Sequence, residues 1–135
     1  MAELIKLEVV TPTGLVVSED VEELTACGAD GEFGVLPGHC DMLAGMKIGS
    51  VSYRASGKTS NLAVGGGYAE VGSDRVIILA ETAEKAEDID RSRAEDARNR
   101  AEEKLSGMSH ESPDYVVQSE ALERANVRLE VAGSL

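Results

Sequence analysis

With 135 residues, the chain has room for one domain, or one small domain with an appendage. A net charge of −12 and a pI near 4.5 exclude a free-standing nucleic-acid binder, which would present a basic field to phosphates. Aromatic residues make up only 3%, with no Trp, so any core must rest on Val, Leu, Ile and Ala.

Residues 1–84 are predicted as strands. Leu4, Leu7 and Val9 open an apolar run, which Thr11, Pro12, Thr13 and Gly14 turn back into Leu15, Val16 and Val17. Short apolar runs follow at 21–26, 34–36, 48–53, 62–64, 68–71 and 76–80. Gly, Ser and Asp separate them around 28–31, at Gly45, at 56–58 and at 72–74. Short strands with such punctuation, and most of the 14 glycines, predict an antiparallel β-sandwich or barrel. Cys27 and Cys40 read as two reduced, partly buried thiols. Within this half, GEFGVLPGH at 31–39 reads as a rigid exposed bend, because Gly and Pro fix the backbone path. His39 is no metal ligand on this reading, since the other histidine, His110, lies in the far half.

From residue 85 the pattern changes. Ile89, Ala94, Ala97, Ala101, Leu105 and Met108 recur at helical spacing, with Asp88 as the expected N-cap and Ser106–Gly107 as the stop. Ser112 followed by Pro113 starts a second helix, with Leu122, Ala125, Leu129 and Ala132 on one face and Gly133 at its end. The connection is short, so residues 85–135 are predicted as an antiparallel two-helix hairpin. Its alanine faces are thin, so such a hairpin either docks on the sandwich or on a partner, or changes shape. Met108 and Tyr115 serve either its core or an outside contact.

Six of the eight arginines lie in this half. The spacing pairs Glu87 with Arg91, Asp96 with Arg100, and Glu120 with Arg124 as i,i+4 ion pairs. Arg93 and Arg128 gain no such partner. Arg93 and Arg100 share a face and are placed to converge with Arg124 and Arg128, an arrangement that suits phosphates.

The 31–39 stretch resembles the signature loop of the epsilon subunits of F-type ATP synthases, and GGYAEV at 66–71 resembles their second signature. The resemblance covers the whole chain. It implies a non-catalytic central-stalk subunit, a peripheral protein at the cytoplasmic face of a bacterial inner membrane. Its sandwich would contact the gamma subunit and the c-subunit ring, with Glu32, Gly38 and His39 at that contact. Its helices would face the alpha/beta catalytic head and restrain ATP hydrolysis when extended, while the subunit helps couple proton flow to ATP synthesis. IDRSRA at 89–94 is similar to the I/L-D-x-x-R-A motif of bacterial epsilon subunits that bind ATP. That similarity implies Ile89, Asp90 and Ala94 at the adenine end and Arg93 on the polar part. Glu84, Arg100, Arg124 and Arg128 stand at positions that resemble further contacts. ATP would then be a regulatory ligand, with no cofactor or metal required.

The residues themselves offer no enzyme motif: no G-x-S-x-G, no HExxH, and no strand-to-helix phosphate loop, since Gly65–Gly67 leads into a further strand. No apolar run reaches the about 18 residues of a membrane span, so membrane association is expected only through a partner. The alternative reading is a β-sandwich nucleotide-binding module unrelated to a rotary motor.

Overall fold

A computed structural model describes residues 3–135. Eight strands come first: β1 (Ile5–Thr11), β2 (Gly14–Val21), β3 (Glu23–Gly28), β4 (Gly31–Val35), β5 (Met42–Ala55), β6 (Lys58–Val71), β7 (Arg75–Ala80) and β8 (Ala83–Lys85). A 3-10 turn (Ala86–Asp88) then leads to helices α1 (Arg91–Ser106) and α2 (Pro113–Ala132). The strands form one sheet in the order β2-β1-β7-β6-β5-β3-β4, with β8 also on β6. It doubles into a sandwich because β5 and β6, each 14 residues long, serve both layers. Residues 42–46 and 67–71 lie with β7, β1 and β2, whereas 48–55 and 58–65 lie with β3, β4 and β8.

Strand alternation fills the space between the layers. Ile5, Leu7 and Val9 of β1 meet Val76 and Ile78 of β7, Leu62 and Val64 of β6, and Val51 and Tyr53 of β5. The turn between β5 and β6 has two residues, Ser56 and Gly57, both at positive φ. That is the hairpin turn whose twist matches the strands. Glu22 alone joins β2 to β3 and pins the layer crossing to this turn. Its carboxylate accepts from Gly57 N (3.0 Å) and from Arg54 Nε (2.8 Å), and the Gly57 bond, then Arg54, hold its pKa below the usual carboxylate range.

Several expectations change in detail. The runs at 62–64 and 68–71 are one strand, and Gly45 lies inside β5 rather than between strands. The chain bends at Gly65–Gly67 without breaking, because Gly65 N donates to Thr82 O (2.9 Å) and Glu81 N to Gly66 O (3.0 Å). The bend at 31–39 is only half a loop. Residues 31–35 form β4, since Phe33 and Val35 pair with Ala26 and Leu24 and pack inward. The sandwich also holds one parallel pair, β1 with β7, among antiparallel ones. Its cause is the single-residue crossing at Glu22: β3 runs on from β2 without the reversal that a hairpin would impose. The N-cap of α1 is Asp90, not Asp88, because Asp88 ends the 3-10 turn and Ile89 is extended. Cys27 is buried, its thiol pKa raised by burial, whereas Cys40 is exposed.

The hairpin follows its local signals. Ser112 caps α2 with Pro113 in the first turn, and Gly107 and Gly133 end the helices. Ala94 and Ala101 of α1 and Ala125 of α2 are buried, so the helices approach closely. Tyr115 lies at the hairpin tip with its ring 4.5 Å from that of His110. Helix α2 rests on β5 and β6. The seam is small: Ala63, Ala86 and Val131, flanked by Ile89 and Val127. Polar ties close it. Arg91 Nη2 donates to Ala132 O (2.8 Å), Asn61 Nδ2 to Ser134 Oγ (3.2 Å), and Ser134 Oγ to Val131 O (2.6 Å).

Gly67, at φ +131°, has no room for a side chain, since a Cβ there would collide with the Leu79 carbonyl. Urea unfolding of Gly67→Ala is expected to show a loss of about 2 kcal/mol or more. Gly34→Ala, at ordinary φ and with space around it, stays within about 0.5 kcal/mol of the parent.

Candidate functional site

An open cleft of about 620 Å³ separates the arginine face of the hairpin from the sandwich. Its helical wall carries Arg93 of α1 and Arg124 and Arg128 of α2, above a floor of Ala97, Ala121 and Ala125. Arg124 and Arg128 are one helical turn apart and so share a face. The alanines make the cleft, because larger side chains would fill it. The opposite wall is Thr11, Pro12 and Thr13 of the β1–β2 turn, Glu81 and Thr82 of the β7–β8 link, and Glu84 of β8.

The three cations are held differently. Arg128 is tied to Glu84, with Nε 2.7 Å from Oε1 and Nη2 donating to Oε2 at 3.3 Å. Its buried Nε is close in distance but not aligned to donate. Arg124 makes the expected i,i+4 pair with Glu120, at 4.0 Å. Arg93 has no carboxylate within 4.0 Å among the described residues, and its charge is open to a ligand. The other two i,i+4 pairs do not form. Glu87 precedes the helix, and Arg91 turns to the end of α2 instead. Asp96 and Arg100 are both exposed and lie beyond ion-pair distance.

Of the eight residues assigned to ATP, four line this cleft: Glu84, Arg93, Arg124 and Arg128. The other four do not. Asp90 spends its side chain capping α1, accepting from Arg93 N at 3.1 Å. Ile89 packs in the docking seam, Ala94 is fully buried, and Arg100 lies exposed farther along α1. Of the sandwich wall sequence reasoning reached only Glu84, since nothing in the helical pattern points to a turn some 80 positions earlier.

The second set, Glu32, Gly38 and His39, falls on two structures. Glu32 projects from β4, exposed and opposite Cys27. Gly38 and His39 lie in the link from β4 to β5. Gly38, at φ +86°, donates its N–H to Ser73 O (2.7 Å) across to the β6–β7 turn. His39 is half-buried, and its Nδ1–H donates to Cys40 O at 2.7 Å.

A further surface emerges only in three dimensions. Register places Leu15 beside Val10, Val10 beside Leu79, and Leu79 beside Tyr68, in a row across four strands on the outer face of the sandwich. Leu15, Leu79 and Tyr68 are each more than half exposed, and Leu43 adds a fourth such side chain nearby. The run VIIL at 76–79 was the available signal, since a strand with one solvated face alternates and this one does not.

Among the described residues, no cluster of three or more His, Cys, Asp or Glu is placed to hold a metal, and no helix is long and apolar enough to cross a membrane.

Breaking the Arg128–Glu84 pair tests what holds the hairpin down. Glu84→Gln is expected to weaken docking by about 1 kcal/mol. Hydrogen exchange at the last turns of α2 should quicken about fivefold, with exchange in β1 and β7 unchanged.

The family model "ATP synthase, Delta/Epsilon chain, beta-sandwich domain" matches residues 4–86, and its companion, "long alpha-helix domain", matches 87–133. The chain is 52% identical over 133 residues to the ATP synthase epsilon chain of Geotalea daltonii, covering 98% of this chain and 96% of that one. It is 47% identical over 134 residues to that of Nitratidesulfovibrio vulgaris, covering 99% of each. Among solved structures, a chain of the Euglena gracilis mitochondrial ATP synthase OSCP/F1/c-ring superposes with TM-score 0.81 at 26% identity, covering 98% of this chain and 82% of that one. A chain of the Tetrahymena thermophila mitochondrial ATP synthase central stalk and c-ring shares the fold, with TM-score 0.62 at 12% identity.

Proposed function

The chain belongs to the delta/epsilon family of ATP synthase, and from that premise we propose that it is a non-catalytic subunit of the rotor. Its sandwich joins the central stalk, in contact with the gamma subunit and the c-subunit ring. It thereby sits at the cytoplasmic face of a bacterial inner membrane, reached only through the complex. Supporting this are the family matches along nearly the whole chain and the apolar outer row of Leu15, Val10, Leu79 and Tyr68. That row suits a permanent protein partner better than water. Glu32, Gly38 and His39 supply polar contacts toward the ring.

We further propose that the hairpin is an ATP-responsive brake on hydrolysis. The observation that carries this reading is the convergence of Arg93, Arg124 and Arg128 with Glu84 on one cleft between hairpin and sandwich. Polyphosphate oxygens would take the guanidinium groups in charge-assisted bonds. Bound ATP would favour the docked hairpin over an extended one that reaches the alpha/beta head. A ligand moves such a balance only by its difference in affinity for the two states. At 100 times its Kd, a ligand that bound only the docked form would add about 2.7 kcal/mol to it. The three motif residues that lie elsewhere bear on the site indirectly: Asp90 fixes the start of α1, and Ile89 and Ala94 fix its seat.

Calorimetric titration of the isolated chain with ATP is expected to give saturable binding that Arg93→Ala weakens at least about tenfold. The variant keeps the sandwich intact by circular dichroism. Unchanged affinity in Arg93→Ala would remove the cleft as the nucleotide site. For the rotor contact, Tyr68→Glu is expected to reduce co-purification with the gamma subunit at least about tenfold without lowering the thermal midpoint. Retained co-purification would place the gamma contact on another face.

A further inference from the structure

We infer that the β1–β2 turn is the second half of the nucleotide site, so that a bound ligand staples the hairpin to the sandwich through Thr13. The inference rests on the reading of the cleft as a nucleotide site and adds to it a contact that the reading does not include, in the β1–β2 turn across the cleft from the arginines.

The two walls of the cleft differ in chemistry. The hairpin wall is cationic, while the sandwich wall offers hydroxyls and carboxylates: Thr11, Thr13, Thr82 and Glu81. Glu81 makes no ion pair among the described residues. Inorganic phosphate would satisfy only the first wall. A ligand with an anionic end and with hydroxyl or amino donors at the other end spans both, which is the layout of a nucleoside phosphate.

The turn is built to hold still. Pro12 fixes its own φ. Thr11 Oγ1 accepts from Thr13 N (3.3 Å) and lies 3.3 Å from Gly14 O, to which it donates. The Thr11 hydroxyl is therefore committed within the turn. Thr13 Oγ1, 3.0 Å from Thr11 Oγ1, keeps acceptor capacity and stands on an exposed residue at the rim. It is the turn's hydroxyl available to a guest.

This geometry also supplies a reason for coupling. Helix α2 packs on β5 and β6, while α1 packs mainly on α2. A ligand held by hairpin arginines alone would bind docked and undocked hairpins equally and shift nothing. A ligand that also touches Thr13 binds the docked state better, since only there is the turn within reach.

The test is calorimetric titration of the full chain with ATP and with inorganic tripolyphosphate. It compares the parent with Thr13→Val, Arg93→Ala and Thr59→Val. Thr59 lies next to Arg54, by the opposite end of β2, and serves as a control for loss of a hydroxyl elsewhere. Thr13→Val removes the acceptor and should weaken ATP binding by about threefold or more while leaving tripolyphosphate binding within about twofold, and Thr59→Val should leave both within about twofold. A loss for ATP without a loss for tripolyphosphate cannot arise from misfolding. Tripolyphosphate should bind the parent at least about tenfold more weakly than ATP. If Arg93→Ala loses ATP while Thr13→Val matches the parent, the arginine site stands and the staple is overturned. Tripolyphosphate binding as tightly as ATP also overturns it. A parent that binds no ATP, or an Arg93→Ala that binds it normally, overturns the nucleotide reading and the staple together.

Discussion

One pair of strands sets the terms for everything else. β5 and β6 are long enough to belong to both layers, and they manage it because β6 bends at three consecutive glycines. A Cβ on Gly65 would strike Thr82 Oγ1, and one on Gly67 would strike the Leu79 carbonyl. The bend therefore requires bare backbone, and it brings the β7–β8 link tight against β6. That link carries Glu81 and Thr82 into the cleft wall, and β8 carries Glu84 beside them. The outer face beyond the bend is made of small residues, with Ser50 opposite Ala63 and Ser52 opposite Asn61. Larger ones there would hold α2 off and open the seam.

The hairpin sits on this face by a thin margin. Buried apolar area contributes roughly 25 cal/mol per Å², and a seam built on Ala63, Ala86 and Val131 offers little of it. Directional polar contacts supply the remainder: Arg91 on the end of α2, Asn61 on Ser134, and Arg128 on Glu84. An ion pair that is partly exposed on both sides is a modest tie. A docking balance set by small terms is one that a charged ligand in the adjoining cleft can move. Three of the arginines of this acidic chain, Arg93, Arg124 and Arg128, face that cleft.

Much of this was legible in the sequence, and the line between what was and was not is the reach of local rules. Helix ends were readable because Ser112, Pro113, Gly107 and Gly133 act on their immediate neighbours. The strand-rich half was readable from its punctuation, and the family from two short signatures. Arg128 is the instructive case. Its own helix offers it only Arg124, and the partner that answers it, Glu84, is 44 positions away in another element. The i,i+4 rule cannot see that pair. It also overcounted, since Arg91 had a better acceptor across the hairpin. Gly65–Gly67 looked like a break because a glycine run usually is one, yet backbone bonds to Thr82 and Glu81 carry the strand through. The cleft's arginines could be guessed from their crowding. Its far wall, Glu84 apart, could not, because it exists only once the sheet has closed.

The parallel pairing of β1 with β7 bears on how the chain reaches this state. Its partners, from Lys6 with Arg75 to Val10 with Leu79, are about 70 positions apart, whereas β5 and β6 meet across a two-residue turn. Closing a loop of that length is slow compared with forming a local hairpin, so the sandwich closes late. During synthesis β1 and β2 emerge first and wait for β7. Through that interval β1 keeps one unpaired strand edge, the kind of surface that recruits other chains. Lys6 and Glu8 alternate with Ile5, Leu7 and Val9 along it, and their charges protect the nascent sheet until its partner arrives.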